Sequence, residues 1–539
     1  MTGIWWCPSC DLPLLTHHCQ ICGTTAKHPI SKDLTPVFKE EMTMLCKLFG
    51  FDKYFESPKD YILWNSGANY YCQGKRIATV SVASRKPSVI INENNLSSLI
   101  SPKRGTSKTR FIERLCSANK TYLDTIEIEA RNFIQETVSD YRNCTIIVSF
   151  SGGKDSSVVS ALVRKALSTG SVLHVMADTT IEAPSTYKYL RAFQRDNIKT
   201  PLVILSTGLD FYRVCDLIGP PSRILRWCCT THKTTPIASF LAALRETDRR
   251  VLTFDGIRAC ESVRRSSYER ISKPAKVKGE ILASPIQNWR DIDVWSYLLV
   301  KGISFNTAYR HGFRRVGCLP CPLNSQWSDF MISIKYPQFT KRWASLLEAH
   351  AVKIGHPKPT VFATQGWRSR AGGRGLNHEL ASLDREICLK DSCTINYTLA
   401  RPFSETLFEF FRPFGRPCTI YDDGILLKGN VHNKQEGVIA AIKINRLHNT
   451  IRISIGPVKN RRLLLQRFER QIRKFQSCIL CGGCAGYCEA NAIHVNGQYS
   501  VSQERCCGCK ACVKASCPSV EALTKKGSSE SWSICYGSH

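Results

Sequence analysis

Thr145-Ile-Ile-Val-Ser-Phe150, Ser151-Gly-Gly-Lys-Asp-Ser156 and Ser157-Val-Val-Ser-Ala-Leu-Val-Arg-Lys-Ala-Leu167 follow one another without a gap. The first is β-branched and bulky enough for a strand buried on both faces, and the third reads as a helix. Between them, Gly152 and Gly153 let backbone N–H groups come close to an anion. Ser151, Ser156 and Ser157 add hydroxyls where the helix dipole also favours negative charge. The pattern is that of a phosphate cradle rather than a plain strand-to-helix turn. It is not a Walker loop, because Lys154 is followed by Asp155 and the four-residue spacer between glycines is missing.

Strand and helix continue to alternate outward from this turn. Ser171-Val-Leu-His-Val-Met-Ala177, Pro201-Leu-Val-Ile-Leu205 and Val251-Leu-Thr-Phe254 read as further strands, with a helix from Thr186 to Phe193. Such alternation implies a doubly wound parallel sheet with ligands beyond the carboxyl ends of its strands. Ser151 to Ser156, Asp178, Gly256 and Arg258 all fall at such ends and form one expected nucleotide site. Asp178 is a candidate acceptor from ribose or adenine, and Arg258, Arg264 and Arg265 are candidates for phosphate or sulfate. A solvated surface role is the alternative for each arginine.

Twenty-seven cysteines in a chain of 539 residues, many in Cys-x2-Cys pairs, point to metal rather than disulfides. Cys7, Cys10, Cys19 and Cys22 form two knuckles suited to a tetrahedral ion, zinc being the first expectation. Lys plus Arg number 74 against 44 for Asp plus Glu, a formal net charge of +30. That excess makes a polyanion, RNA above all, a candidate partner, the alternative being a generally basic surface. No run of 18 apolar residues occurs, and Met1 to Cys7 has no signal-peptide pattern, so a cytoplasmic chain without membrane contact is expected.

Ser151-Gly-Gly-Lys-Asp-Ser156 resembles the PP-loop of the nucleotide α-hydrolase superfamily. The resemblance narrows with Asp178-Thr-Thr-Ile-Glu-Ala-Pro184, Cys228-Cys-Thr-Thr-His-Lys-Thr-Thr-Pro236, Gly256-Ile-Arg-Ala-Cys-Glu-Ser262, Ser284-Pro-Ile-Gln-Asn-Trp-Arg-Asp-Ile-Asp-Val-Trp295 and Gly317-Cys-Leu-Pro-Cys-Pro322. Together these make residues 145 to 325 similar to the phosphoadenosine phosphosulfate and adenylyl-sulfate reductase family, in its cluster-bearing branch. The resemblance implies a [4Fe-4S] cluster on Cys228, Cys229, Cys318 and Cys321, with Lys233 among the groups tuning it and Lys154 and Arg258 in catalytic roles. The family's nucleophilic cysteine lies in a Glu-Cys-Gly-Leu-His motif, which this sequence lacks. Glu386-Ile-Cys388-Leu389 is a weak echo that leaves Cys388 as a candidate, a buried thiol being the other reading.

Near the carboxyl end, Cys478-x2-Cys481-x2-Cys484-x3-Cys488 and Cys506-x2-Cys509-x2-Cys512-x4-Cys517-Pro518 resemble a two-cluster bacterial ferredoxin. That resemblance implies one cluster on Cys478, Cys481, Cys484 and Cys517 and another on Cys506, Cys509, Cys512 and Cys488. The expected architecture is multidomain α/β: a zinc-ribbon-like module (1–28), a small mixed, PUA-like module (29–100), a linker and helices (101–143), the doubly wound PP-loop core (144–335), a basic connecting region (336–395), a small α+β module (396–475) and the α+β ferredoxin domain (476–539). The expected function is an iron–sulfur enzyme that binds an adenine nucleotide or sulfonucleotide and releases sulfite with electrons from the ferredoxin domain. The alternative is an ATP-dependent sulfurtransferase acting on tRNA through the same loop and cluster. No motif identifies the electron donor.

Overall fold

The computed structural model describes residues 3–55, 61–83, 86–100, 108–245, 250–273, 277, 279–371, 380, 383–387, 394–421, 424–432 and 435–524. At its centre five parallel strands run in the spatial order Leu202–Leu205, Leu173–Ala177, Cys144–Ser149, Arg250–Phe254 and Glu280–Ala283. A short antiparallel strand, Ile271–Ser272, closes the far edge. Helices Lys154–Ala166, Pro184–Asp196, Thr235–Arg245 and Asp291–Val300 follow or join the strands, as in an α/β nucleotide-binding core. The helix Lys154–Ala166 buries Val158, Val159, Leu162 and Val163 against Val148, Leu252 and Phe254. The first three strands progress toward one edge of the sheet, and the chain then crosses to the other side of Cys144–Ser149. That reversal opens a crevice between the ends of Cys144–Ser149 and Arg250–Phe254, where sheets of this kind take their ligands.

The expected strands are present with ends shifted by one or two residues, and Glu280–Ala283 is additional. Its four residues are too few to show a period, and only pairing with Arg250–Phe254 makes them a strand.

His174 illustrates how tightly the core is closed. Fully buried, it places Nδ1 2.8 Å from the Val172 carbonyl and Nε2 2.8 Å from Ser160 Oγ. A carbonyl only accepts, so Nδ1 carries the hydrogen and Nε2 accepts from the serine. Burial pulls this imidazole down to about 4 from its ordinary 6.5. Its contribution to stability is therefore complete above pH 6.5 and is lost as pH falls from 6.5 toward 4. Between pH 7 and pH 5 the loss should reach about 2 kcal/mol, and a His174→Asn variant should show a flatter decline in its urea midpoint. Equal slopes for the two proteins would remove this role.

On the amino-terminal side, an antiparallel meander runs Thr35–Pro36, Leu63–Ser66, Asn69–Cys72, Lys75–Ala83 and Lys86–Ile91. It is tied to the core by Glu41, fully buried, which accepts from Tyr70 OH at 3.0 Å and pairs with Arg314 at 2.6 Å. Asp33 caps the helix Asp291–Val300 by accepting from the backbone N–H groups of Asp291 and Ile292 at 2.7 and 2.9 Å. The hairpin Trp5–Cys7 with Leu12–Leu14 precedes the meander.

The region expected as a basic connector is largely helical. Pro337–Lys353 and Pro359–Thr364 are helices, preceded by Gln326–Lys335 at the end of the expected core, and Trp343, Leu347 and Ala351 make an apolar face at four-residue spacing that packs with Phe211 and Trp227. Arginine-rich composition hid that face. Arg342 itself lies over the Tyr212 ring at 3.9 Å, and Trp367, within the expected basic connecting region, is buried. Gly372 to Gly375 lie outside the described residues.

A second six-stranded sheet, wholly antiparallel, follows in the order Asp384–Ile387, Thr394–Thr398, Thr450–Ile455, Gln435–Asn445, Gly424–His432, Arg416–Tyr421. Its first strand lies before residue 396, so the sheet begins earlier than the expected boundary. The helix Arg461–Ser477 packs Phe468, Ile472 and Phe475 on this sheet and ends at Cys478. After it come the hairpin Ile493–Asn496 with Gln498–Val501 and two short helices, Ala511–Lys514 and Pro518–Thr524. Among the described residues, no helix is long and apolar enough to cross a membrane.

Candidate active site and its cysteine groups

Gly152 takes φ +71°, a left-handed turn at the end of the central strand that only glycine adopts without strain. Ser156 and Ser157 donate back to the Gly153 carbonyl at 3.0 and 2.9 Å, and the backbone N–H of Lys154 donates to Tyr309 OH at 3.1 Å. Ser151 is exposed at the crevice, with its hydroxyl 3.4 Å from that of Ser156. The loop therefore presents Ser151 outward and is braced from beneath.

The bracing is ionic. Lys154 and Arg258 are almost wholly buried, and each meets both Asp155 and Asp291. Lys154 Nζ lies 2.9 Å from Asp155 Oδ2 and 3.0 Å from Asp291 Oδ1. Arg258 Nη2 donates to Asp291 at 2.5 Å, and Arg258 Nε rests 2.7 Å from Asp155 Oδ1 as an ion pair without hydrogen-bond alignment. Burial lowers the lysine's pKa, but the two carboxylates outweigh it and hold Lys154 above its ordinary value. Burial raises Asp291, yet Lys154 and Arg258 prevail and hold it at about 2. Two cations and two carboxylates close into a neutral square under the loop. Gly256 completes the support: a Cβ there would stand 3.0 Å from the Asp155 backbone carbon and 3.1 Å from the Ser156 nitrogen.

Other predicted residues sit higher. Asp178 Oδ1 accepts from Thr180 N at 2.8 Å and from Tyr187 OH at 2.7 Å, turning the chain after its strand. Arg264 is exposed on a short helical turn, and Arg265 pairs with Glu261 one turn back. Cys388 lies outside the described residues.

The structure brings Cys228, Cys229, Cys318 and Cys321 together. Hydrogen bonding with Cys229 and burial push the Cys228 thiol well up, and Cys318 and Cys321 add to the effect. Burial and then Glu182 raise Cys318 to about 12 against the pull of Lys233. Leu319 N donates to the Ile181 carbonyl at 2.9 Å, and Cys318 Sγ lies 3.4 Å from Thr179 Oγ1, so the group stands beyond the carboxyl end of Leu173–Ala177, at the same end of the sheet as the glycine loop. Immediately after the tandem cysteines, Thr230–Thr234 forms a π-helical turn, an irregularity common at functional sites and without a clear sequence signal. Thiols that raise one another's pKa need a cationic group before they ionise together, which fits an iron–sulfur cluster.

The carboxyl-terminal cysteines fall into two neighbourhoods. Burial raises Cys478 and Cys481 to about 11 and 12, and both also feel Cys517, as does Cys484. Cys512 is raised to about 11 by burial and further by Cys488, Cys506 and Cys509. At the other end of the chain, Cys7 and Cys22 sulfurs are 3.4 Å apart, Cys10 and Cys19 are 3.9 Å apart, and the four ligand atoms lie within 4.8 Å of one another. Metal–sulfur bonds of ~2.3 Å around one tetrahedral ion give sulfur–sulfur edges of about 3.8 Å. The spacing suits a single ion.

Residues 145–324 match the phosphoadenosine phosphosulfate reductase domain. The matched domain thus covers the parallel sheet, the glycine loop and the tandem-cysteine group. An uncharacterized protein of Methanocaldococcus jannaschii is 34% identical over 237 residues, which are 44% of this chain and 48% of that protein. The adenosine 5'-phosphosulfate reductase of Staphylococcus epidermidis is 24% identical over 182 residues, 33% of this chain and 70% of the reductase. The chain spans about half the length of the first curated relatives it matches. Among solved structures, the phosphoadenylyl-sulfate reductase of Candida auris, a phosphate complex, covers 37% of this chain and 95% of its own at 16% identity and a TM-score of 0.29.

Proposed function

We propose that the matched domain binds an adenine sulfonucleotide at the glycine loop and releases sulfite from it, with electrons delivered through the carboxyl-terminal cysteine module. The observation that carries this reading is the gathering of Cys228, Cys229, Cys318 and Cys321 at the carboxyl end of the sheet that also bears Ser151 to Ser156. The loop N–H groups and the Ser151 and Ser156 hydroxyls hold the nucleotide's phosphate. Lys154 and Arg258, neutralised by Asp155 and Asp291, act as positioning residues that keep the loop in its anion-binding shape. Lys233, 3.7 Å from Glu182 and electrostatically paired with Cys318 and Cys229, places a cation between the thiols and the crevice. A [4Fe-4S] cluster on the four thiols would supply local positive charge and one-electron chemistry beside the bound anion. Cys478, Cys481, Cys484 and Cys517 form one further ligand set, and Cys506, Cys509, Cys512 and Cys488 the other. Cys7, Cys10, Cys19 and Cys22 hold zinc: the purified chain should carry about one zinc, absent from a Cys19→Ser variant by elemental analysis. Zinc retained by that variant would remove the assignment.

The test of function is anaerobic. Iron-loaded, chemically reduced protein is offered adenylyl sulfate, phosphoadenosine phosphosulfate or ATP, with and without tRNA, and sulfite and nucleotide products are followed. Sulfite with AMP or its 3′-phosphate is the expected result. AMP and pyrophosphate formed only with ATP and tRNA would replace this reading by RNA sulfur transfer.

A further inference from the structure

The two carboxyl-terminal cysteine neighbourhoods meet different surroundings. The one built on Cys478, Cys481, Cys484 and Cys517 is pressed onto the matched domain. A Cβ on Gly482 would lie 3.2 Å from Thr235 Cγ2, one on Gly483 3.6 Å from Thr235 Oγ1, and one on Gly486 2.9 Å from Ala238 Cβ. Thr235 and Ala238 belong to the helix that directly continues the π-turn after Cys228 and Cys229. Ile479 packs into the same apolar cluster as Trp227, Cys228 and Cys318, joined there by Ala522 and Leu523. Asn491 Nδ2 adds a hydrogen bond to the Ala242 carbonyl at 3.1 Å. Three glycines thus give this inner group a backbone-close seat six to nine residues along the helix from Cys229.

The outer group reaches the surface through Cys509, while Cys506 is half-buried and Cys488 and Cys512 are buried. Cys507, Gly508 and Cys509 are exposed, as is Arg505. Lys510 lines one hollow with Cys488, Cys506, Cys509 and Cys512, and Lys514, exposed, follows one helical turn on, so cations stand beside the outer thiols. From Ser502 to Lys514 the chain carries Arg505, Lys510 and Lys514 against the single carboxylate Glu504. Between the groups, the buried Lys474 donates to the Cys512 carbonyl at 2.6 Å and also acts on Cys478 and Cys484.

Resting on the relay reading above, we infer that the rim of Arg505, Lys510 and Lys514 docks a small acidic one-electron carrier protein. The outer thiol group is the point of entry, and the inner group seated on the Thr235–Arg245 helix is the point of exit. Each encounter oxidises the carrier by one electron and reduces this chain by one. Two encounters supply the electron pair consumed when a sulfonucleotide yields sulfite and a nucleoside phosphate. A like-charged carrier is repelled by the same rim.

The test uses the full-length iron-loaded chain and two reductants, a chemically reduced acidic plant-type [2Fe-2S] ferredoxin and the methyl viologen radical cation, with bleaching of the visible absorbance followed by stopped flow. The ferredoxin rate is expected to fall about tenfold between ~20 mM and ~300 mM salt, and the viologen rate is not. In an R505E/K514E variant the ratio of ferredoxin to viologen rates should drop about tenfold. A ratio unchanged by salt and by the variant, in a chain holding its full iron, overturns the docking surface and leaves the relay intact. A chain that takes up no iron at the carboxyl-terminal cysteines overturns the relay and the docking surface with it.

Discussion

An Asp291→Asn variant is expected to lose about 3–5 kcal/mol of stability, the cost of leaving a buried charge without its partner. Lys154 and Arg258 are 5% and 2% exposed and share Asp155 and Asp291 between them. Asparagine keeps the shape but removes one negative charge, leaving two cations around one carboxylate. Because Asp291 is held at about 2, the missing charge is felt throughout the neutral range, and the native protein loses it only in acid, near the folded value. Urea denaturation at pH 7 measures the effect. A Lys154→Met/Asp291→Asn double variant should be more stable than the sum of the single losses allows, since it restores charge balance. Additive losses would show that the four side chains do not act as one unit.

Gly256→Val is expected to lower nucleotide affinity more than about tenfold while costing about 1–3 kcal/mol of stability. The atoms that a Cβ would crowd are the Asp155 backbone carbon and the Ser156 nitrogen, which have no side-chain freedom to yield. The displaced segment is the loop that presents the anion-binding N–H groups. Calorimetric titration with adenylyl sulfate and ATP, set beside thermal denaturation of the same variant, separates the two effects. Affinity equal to that of the native protein would mean that the nucleotide does not use this loop.

Much of the core was legible because its signals are local. Thr145 to Phe150 has few uses except as a buried strand, and Ser151 to Ser156 requires a tight turn into a helix. The amino-terminal cysteine group was legible for a related reason, since the spacing of Cys7, Cys10, Cys19 and Cys22 is written in the chain. What escaped was set by tertiary context. Arg258 reads as an anion-binding arginine, yet it lies under the loop because Asp155 and Asp291 meet it there. The π-turn at Thr230–Thr234 and the short strand Glu280–Ala283 exist only through their neighbours. Trp343 and Leu347 showed their helical face once Phe211 and Trp227 were in place, beneath a basic composition that read as a solvated connector.

The glycine seat at 482, 483 and 486 bears on kinetics as well as on structure. A carrier on a loose tether reaches its acceptor at a rate set by linker length and effective concentration, and viscosity slows it. A group already in van der Waals contact with Thr235 and Ala238 has no search to make. Transfer across that seat would be first order, indifferent to dilution and to added glycerol, so that only the outer encounter would respond to the concentration of protein.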